Sequence, residues 1–271
     1  MFSPEGPTLR ELAVQALSSV EHGYDLLAPK FDHTPFRTPD SVLDAVASAL
    51  KRSGPYEDGL DLCCGTGAGA DVLATVCRTS VTGVDFSAGM LEVARGRTPA
   101  PGPRMSWVRA DARALPFTAA FDLVVSFGAF GHFLPRELPG LFAQVHGALR
   151  PGGCFAFPVL APPRPSSPAF WMLLGFDAAM RVRNAVWRPP FVMYYRAFRL
   201  GEVRAALEDA GFSVTLRALP EFGTRRDGSP RVRMVEALRA PDGDDLDGAV
   251  TPPGERTRGP ATRAGRPPAD R

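Results

Sequence analysis

The chain has 271 residues, 45% of them hydrophobic, enough for one generous α/β domain or two small ones around a sizeable core. Its 31 basic and 29 acidic residues leave a formal charge of +2, too weak a field to draw the chain as a whole toward nucleic acid. Four sparse cysteines, Cys63, Cys64, Cys77 and Cys154, show neither a zinc spacing nor a disulfide framework, so no metal site is expected.

The amino terminus carries Glu5, Arg10 and Glu11 where a secretory signal would need an apolar core. No window reaches the roughly 18 uninterrupted apolar residues of a membrane span. A cytoplasmic, reduced setting without stable membrane insertion is the expectation.

In chain order, residues 1–37 mix short helical patterns with a polar turn. Thr38 is placed to cap a helix with Pro39 at its first position; Val42, Leu43, Val46 and Leu50 follow at helical spacing until Gly54-Pro55 stops it. Strand and helix then alternate: strand 59–63, helix 68–76, strand 81–84, helix 88–95 and strand 105–108. A strand over 121–127, a helix from about residue 137 to 149, and a strand over 154–160 introduced by Arg150-Pro-Gly-Gly153 continue the series.

Residues 161–199 interrupt this rhythm with prolines and large apolar side chains. A helix over 200–210 and strands over 212–216 and 232–238 close the domain at residue 239. Short apolar strands alternating with helices imply a mostly parallel sheet of about seven strands, covered on both faces. The turn Arg226-Asp-Gly-Ser-Pro230 makes the last two strands an antiparallel hairpin. From residue 240 the composition changes to six prolines, five glycines, six acids and five arginines in 32 residues, which predicts a disordered tail.

The strongest local signal is Leu60-Asp-Leu-Cys-Cys-Gly-Thr-Gly-Ala-Gly69, which joins an apolar strand to a helix through small residues. A ligand can approach that backbone closely and meet the amides that open the helix. Alone, the loop also suits a structural tight turn or a nicotinamide cofactor. Asp85 stands twenty residues after Gly65, at the carboxyl end of the next strand, where a carboxylate can accept both hydroxyls of a ribose. Capping of the following helix is the alternative for Asp85.

The ordered set Asp61-Leu-Cys-Cys-Gly-Thr-Gly67, Gly83-Val-Asp-Phe-Ser87 with Met90-Leu91, Ala110-Asp-Ala112 with Leu115-Pro-Phe117, Phe121-Asp122 and Leu149-Arg-Pro-Gly-Gly153 resembles the class I methyltransferases that use S-adenosylmethionine. The resemblance runs from about residue 40 to 238. It implies an α/β, Rossmann-like three-layer sandwich whose mostly parallel seven-stranded sheet ends in an antiparallel hairpin. It also implies S-adenosylmethionine as cofactor. On the same footing Asp61 lies near the amino group of the methionine moiety, and the backbone of Cys63, Gly65, Thr66 and Gly67 wraps the cofactor. Asp85 holds the ribose, Phe86 and Met90 flank the adenine, Asp111 with the Ala112 amide reads its edge, and Phe127 and Gly128 lie near the sulfonium. From the residues alone, Asp111 could equally cap a turn and Met90 could be core. The family usually has glycine where Cys63 stands, so a backbone with negative φ is expected there.

Methyl transfer from a sulfonium is an in-line displacement that needs alignment and exclusion of water, and a base only where the acceptor must lose a proton first. His132, in Ser126-Phe-Gly-Ala-Phe-Gly-His-Phe133 after the fourth strand, is the candidate base or orienting donor; a histidine satisfying a loop carbonyl is the alternative. His146 reads as a packing or surface residue. Tyr24, beside Asp25, is the second catalytic candidate, because similar enzymes fold such a segment over the active site. Trp171, Met172, Trp187, Phe191, Met193, Tyr194 and Tyr195 in the insertion would wall an apolar acceptor; a core satellite or dimer face is the alternative.

The expected function is O- or N-methylation of a hydrophobic or aromatic small molecule, with carbon methylation of a quinone-like ring, or a non-catalytic interaction protein, as alternatives. No nucleic-acid partner is expected, since there is neither a dense basic stripe nor an Asn/Asp-Pro-Pro-Tyr/Phe element. The protein is expected to be a monomer or homodimer.

Overall fold

Along the central strand Val124 packs into one hydrophobic cluster while Leu123 and Val125 pack into another, so the sheet builds core on both faces. The computed structural model describes residues 5–97, 102–188, 191–194 and 199–241. Its strands are β1 (Tyr56–Leu62), β2 (Cys77–Asp85), β3 (Arg104–Arg109), β4 (Phe121–Val125), β5 (Leu149–Leu160), β6 (Phe212–Ala218) and β7 (Val232–Arg239). Its α-helices are α1 (Leu9–Leu17), α2 (Val20–Leu27), α3 (Asp40–Ser53), α4 (Ala68–Ala74), α5 (Ala88–Gly96), α6 (Leu138–Ala148), α7 (Pro168–Val186) and α8 (Leu200–Asp209).

The strands form one sheet in the order β3-β2-β1-β4-β5-β7-β6. Pairs from β3 through β5 are parallel, and β7 runs antiparallel between β5 and β6. The three-layer α/β fold with its closing hairpin is therefore present as expected. Leu141, Phe142 and Val145 of α6 and Val203 and Leu207 of α8 share a cluster with Phe155 and Phe157. Val46 and Leu50 of α3 and Leu73 of α4 pack with Leu123, Val125 and Ala156 on the other face. Each of these large side chains, fully buried, contributes about 1.5–3 kcal/mol against leaving it in water.

Chain order reverses between β1 and β4: β1 leads outward to β2 and β3, and β4 leads the other way to β5. In an open parallel sheet the crevice beyond the carboxyl ends at such a point is where ligands bind. Both the loop after β1 and the segment after β4 open there.

The structure departs from the sequence reading at several edges. Thr38 does not cap α3; Pro39 stays extended (φ −60°, ψ 143°) as the capping position, and Asp40 opens the helix, where its charge suits the helix dipole. β2 begins at Cys77 rather than at residue 81, because Cys77 and Ser80 pair with Tyr56 and Asp58 of β1. Arg150-Pro-Gly-Gly153 lies inside β5 instead of preceding it. The insertion contains α7, a helix of 19 residues that its prolines and mixed apolar composition concealed. The tail expected to be disordered lies, from residue 242 onward, outside the described residues.

Candidate active site

The loop between β1 and α4 turns on three residues with left-handed backbone, Cys63 (φ 57°), Gly65 (φ 52°) and Gly67 (φ 95°). Cys63 thus corrects the expectation of negative φ: the loop keeps the bend that glycine would make freely and carries the Cβ strain, on the order of 1 kcal/mol. Burial, with Asp85 and Asp61 nearby, pushes the Cys63 thiol well above its ordinary range, and burial does the same to Cys64. Neither sulfur is a ready nucleophile.

Gly69 is required by what sits behind the loop. A Cβ there would come within 2.4 Å of Asp61 Oδ1. Asp61 is buried, and its Oδ2 has no hydrogen-bond partner among the described residues. Burial raises its pKa well above the usual carboxylate value, with Asp85 and Asp71 adding to the rise. Asp85 ends β2 with both oxygens engaged: Gly65 N–H donates to Oδ2 and Ser87 N–H to Oδ1, each at 2.9 Å. Burial raises the Asp85 pKa while these amide bonds oppose the rise.

A cavity of about 420 Å³ opens at the carboxyl ends of β1, β2 and β4, within the range of small-molecule sites. Of the sequence-predicted residues, Tyr24, Cys63, Gly65, Asp85, Phe86, Met90, Asp111, Ala112, Phe127, Gly128 and His132 line it. Asp61, Thr66 and Gly67 lie outside its lining. Thr66 instead donates from Oγ1 to Asp32 Oδ1 at 2.6 Å, and the missing Cβ of Gly67 admits the Trp107 ring. Asp111 also caps its own turn, accepting from Arg113 N–H at 2.9 Å.

The amino-terminal segment is fastened to the side of this cavity formed by the end of β2, the start of α5 and β3. Asp25 Oδ1 accepts from Ser87 Oγ at 2.6 Å and from Gly89 N–H at 2.9 Å, and Arg109 donates to Glu21 at 2.6 Å. These bonds set α2 across the opening of α5 and place Tyr24 in the cavity wall. Its Oη meets His132 Nε2 at 2.7 Å. His132 Nδ1 lies 2.7 Å from the Val192 carbonyl, which can only accept, so Nδ1 carries the proton and Nε2 accepts from Tyr24. Burial, with a smaller contribution from Arg113, holds the His132 pKa below its ordinary value.

The insertion reaches the cavity through Val192, a residue that composition did not single out. Phe191 stacks on Tyr24 (6.4 Å between ring centres, 16° apart), and Asn184 brackets that loop by bonding Phe191 N–H, Phe191 O and Tyr194 Oη. Trp171, Met172 and Trp187, expected in the acceptor wall, are instead exposed at 62%, 67% and 50%. Trp171 lies nine residues, half a turn, from buried Met180, and Trp187 follows the helix in extended backbone. Tyr195 lies outside the described residues. Arg113, Arg136 and Glu137 line the cavity unforeseen. His146 packs edge-on against Phe212, a structural use.

A family model described as a methyltransferase domain matches residues 60–153. An uncharacterized methyltransferase of Synechocystis sp. is 32% identical over 171 residues, covering 63% of this chain and 73% of that protein. The chain belongs to the class I, S-adenosylmethionine-dependent methyltransferases. A 2-phytyl-1,4-naphtoquinone methyltransferase of Nostoc punctiforme is 36% identical over 129 residues, 46% of this methyltransferase and 54% of the relative. A solved S-adenosylmethionine-dependent methyltransferase of Methanosarcina mazei shares the fold, with a TM-score of 0.54 at 20% identity over 70% of this chain and 95% of that one. The methyltransferase is thus an enzyme whose cofactor is S-adenosylmethionine.

Proposed function

We propose that this enzyme methylates a small, apolar or aromatic acceptor bearing an ionisable hydroxyl, of the phenol or quinol type, and that Tyr24 and His132 orient that hydroxyl and take its proton. The observation that carries the reading is the fixed chain Val192 carbonyl, His132, Tyr24, which ends in a hydroxyl on the cavity wall. Tyr24 directs its proton to His132, which leaves its oxygen the role of acceptor. An acceptor hydroxyl that donates to Tyr24 Oη has a path for its proton: onto Tyr24 as the Tyr24 proton moves to Nε2, leaving an imidazolium whose Nδ1–H still bonds Val192. The acceptor gains nucleophilicity as it loses the proton.

The residues of the cavity suit the cofactor. Bound, it supplies an electrophilic methyl group on a sulfonium. Asp85 would accept from the ribose hydroxyls with the lone pairs its two amide bonds leave open, Phe86 and Met90 would flank the adenine, and Asp111 with Ala112 would read its edge. The Asp61 oxygen without a partner among the described residues would suit a nearby ammonium. The loop Cys63 to Gly67 would follow the methionine moiety, with Phe127 and Gly128 near the sulfonium.

A second reading, carbon methylation of a quinol-like ring, is favoured by the similarity to the naphtoquinone enzyme. Proton removal from a ring hydroxyl serves it equally, since it makes the adjacent ring carbon electron-rich. Methyl-labelled cofactor offered to phenols and quinols, with the product solved by NMR, distinguishes an O-methyl from a C-methyl product. Tyr24→Phe and His132→Ala should each lower turnover about 100-fold or more while leaving cofactor affinity within about twofold. Unchanged turnover with the preferred acceptor would remove the pair from the mechanism.

A further inference from the structure

The outward face of α7 is apolar from end to end. Trp171, Met172, Val182 and Val186 are exposed at 62%, 67%, 64% and 78%, and Trp187 follows at 50%. The positions between them on that side, Gly175, Ala178, Ala179 and Ala185, are exposed and equally without polar groups. The one acid in α7, Asp177, is buried. The opposite side holds the helix in place: Met180 packs with Phe191 and Tyr194, and Arg183 donates to Ser18 O. Trp187, just past the helix end, keeps its Nε1 on Leu17 O while half its surface stays exposed. Leu17, itself 50% exposed, extends the apolar surface onto α1. A contiguous apolar surface face, as opposed to scattered single apolar residues, marks a site of interaction.

We infer that this face docks on an anionic lipid surface, α7 lying in the headgroup layer with Trp171 and Trp187 at its two ends. The charge pattern selects the occupant. Exposed Arg181 and Arg188 border the face, and Arg181 lies 4.8 Å over the Tyr194 ring. No acid of α7 is exposed to answer them. Two copies meeting here about a two-fold axis would bring arginines toward arginines, whereas anionic headgroups neutralise them. A tryptophan-ended, arginine-bordered apolar face matches a helix that lies on a membrane, and no helix among the described residues is long and apolar enough to cross one.

The docked helix is also the outer layer of the cavity. Its inner side supports Phe191 against Tyr24, and the next residue, Val192, lines the cavity. Docking would set the cavity wall against the layer in which an apolar acceptor dissolves. In this use the inference rests on the proposed acceptor class, although lipid binding can be measured without it.

Flotation of the full chain with phosphatidylcholine vesicles, with and without phosphatidylglycerol, tests the inference. Binding should require the anionic lipid, shift the tryptophan emission to the blue, and weaken about tenfold or more in Trp171→Ser/Met172→Ser/Val186→Ser and in Arg181→Gln/Arg188→Gln. Calorimetry with S-adenosylhomocysteine checks that each variant is folded. Absence of vesicle binding, binding indifferent to headgroup charge, or full binding by the folded triple variant would overturn the inference. So would a dimer in sedimentation that the triple variant abolishes. Turnover of a short-chain, water-soluble acceptor should be unchanged in the triple variant. Failure of the wild-type enzyme to methylate any such phenol or quinol would count against the acceptor class and leave the docking result standing.

Discussion

Asp61 is a buried carboxyl with one oxygen unsatisfied among the described residues, an arrangement that costs stability. Its folded pKa is raised, so the stability this group permits is complete below the unfolded carboxylate value and is lost as pH rises through the folded value. At neutral pH the cofactor-free protein therefore bears a cost that an ammonium bound at Asp61, as proposed, would relieve. Asp61→Asn should raise the stability of the cofactor-free protein by about 1–3 kcal/mol in urea unfolding and weaken cofactor binding at least about tenfold. A variant that is less stable, or binds as tightly as wild type, contradicts this role. His132 has the opposite sign. Burial lowers its folded pKa, so its contribution is present above the unfolded value of about 6.5 and is lost as pH falls through the folded one. With neutral His132 taking the acceptor proton as proposed, kcat/KM should stay flat through neutral pH and fall only on the acid side of about pH 6.5. A midpoint at or above that value would show that His132 is not the group in control.

At the scale of elements, the amino-terminal helices matter because they bring Tyr24 to His132 across 108 residues of sequence. Asp25 is the fastening: it accepts from Ser87 and Gly89, and thereby ties α2 to the start of α5. Asp25→Ala should lower kcat/KM about tenfold and expose the segment before Asp40 to limited proteolysis, while the melting temperature of the sheet domain changes little. Resistance equal to wild type would show that other contacts, such as Thr66 to Asp32, hold the segment unaided. Much of this was legible beforehand. Strand and helix periodicity gave β1 to β7 and their helices, and the glycine-rich loop and Asp85 declared themselves by spacing. The Tyr24 to His132 bond was not legible, although each residue stood out, since no local pattern reports a contact so distant in the chain. Cys63 defied the local rule because loop geometry outweighed its own preference. α7 was hidden because its apolar residues surround the helix rather than striping one side, so periodicity gave no inward face, and the aromatic wall was drawn from composition alone.

For the whole molecule, the reversal of chain order between β1 and β4 decides where everything else assembles. The sheet holds Asp61, Asp85 and the loop after β4 on rigid strand ends, while the amino-terminal helices and the insertion bring Tyr24, Phe191 and Val192 from outside it. On the proposed roles, the sheet edge would hold the cofactor and the separately attached segments the acceptor, so the second could change without disturbing the first. The most direct test of the account is transfer itself. Purified protein with methyl-labelled S-adenosylmethionine and a panel of phenols and quinols should label at least one acceptor, with S-adenosylhomocysteine formed in equal amount and the signal lost in His132→Ala. No labelled acceptor, together with no calorimetric binding of either cofactor form at millimolar concentration, would contradict it.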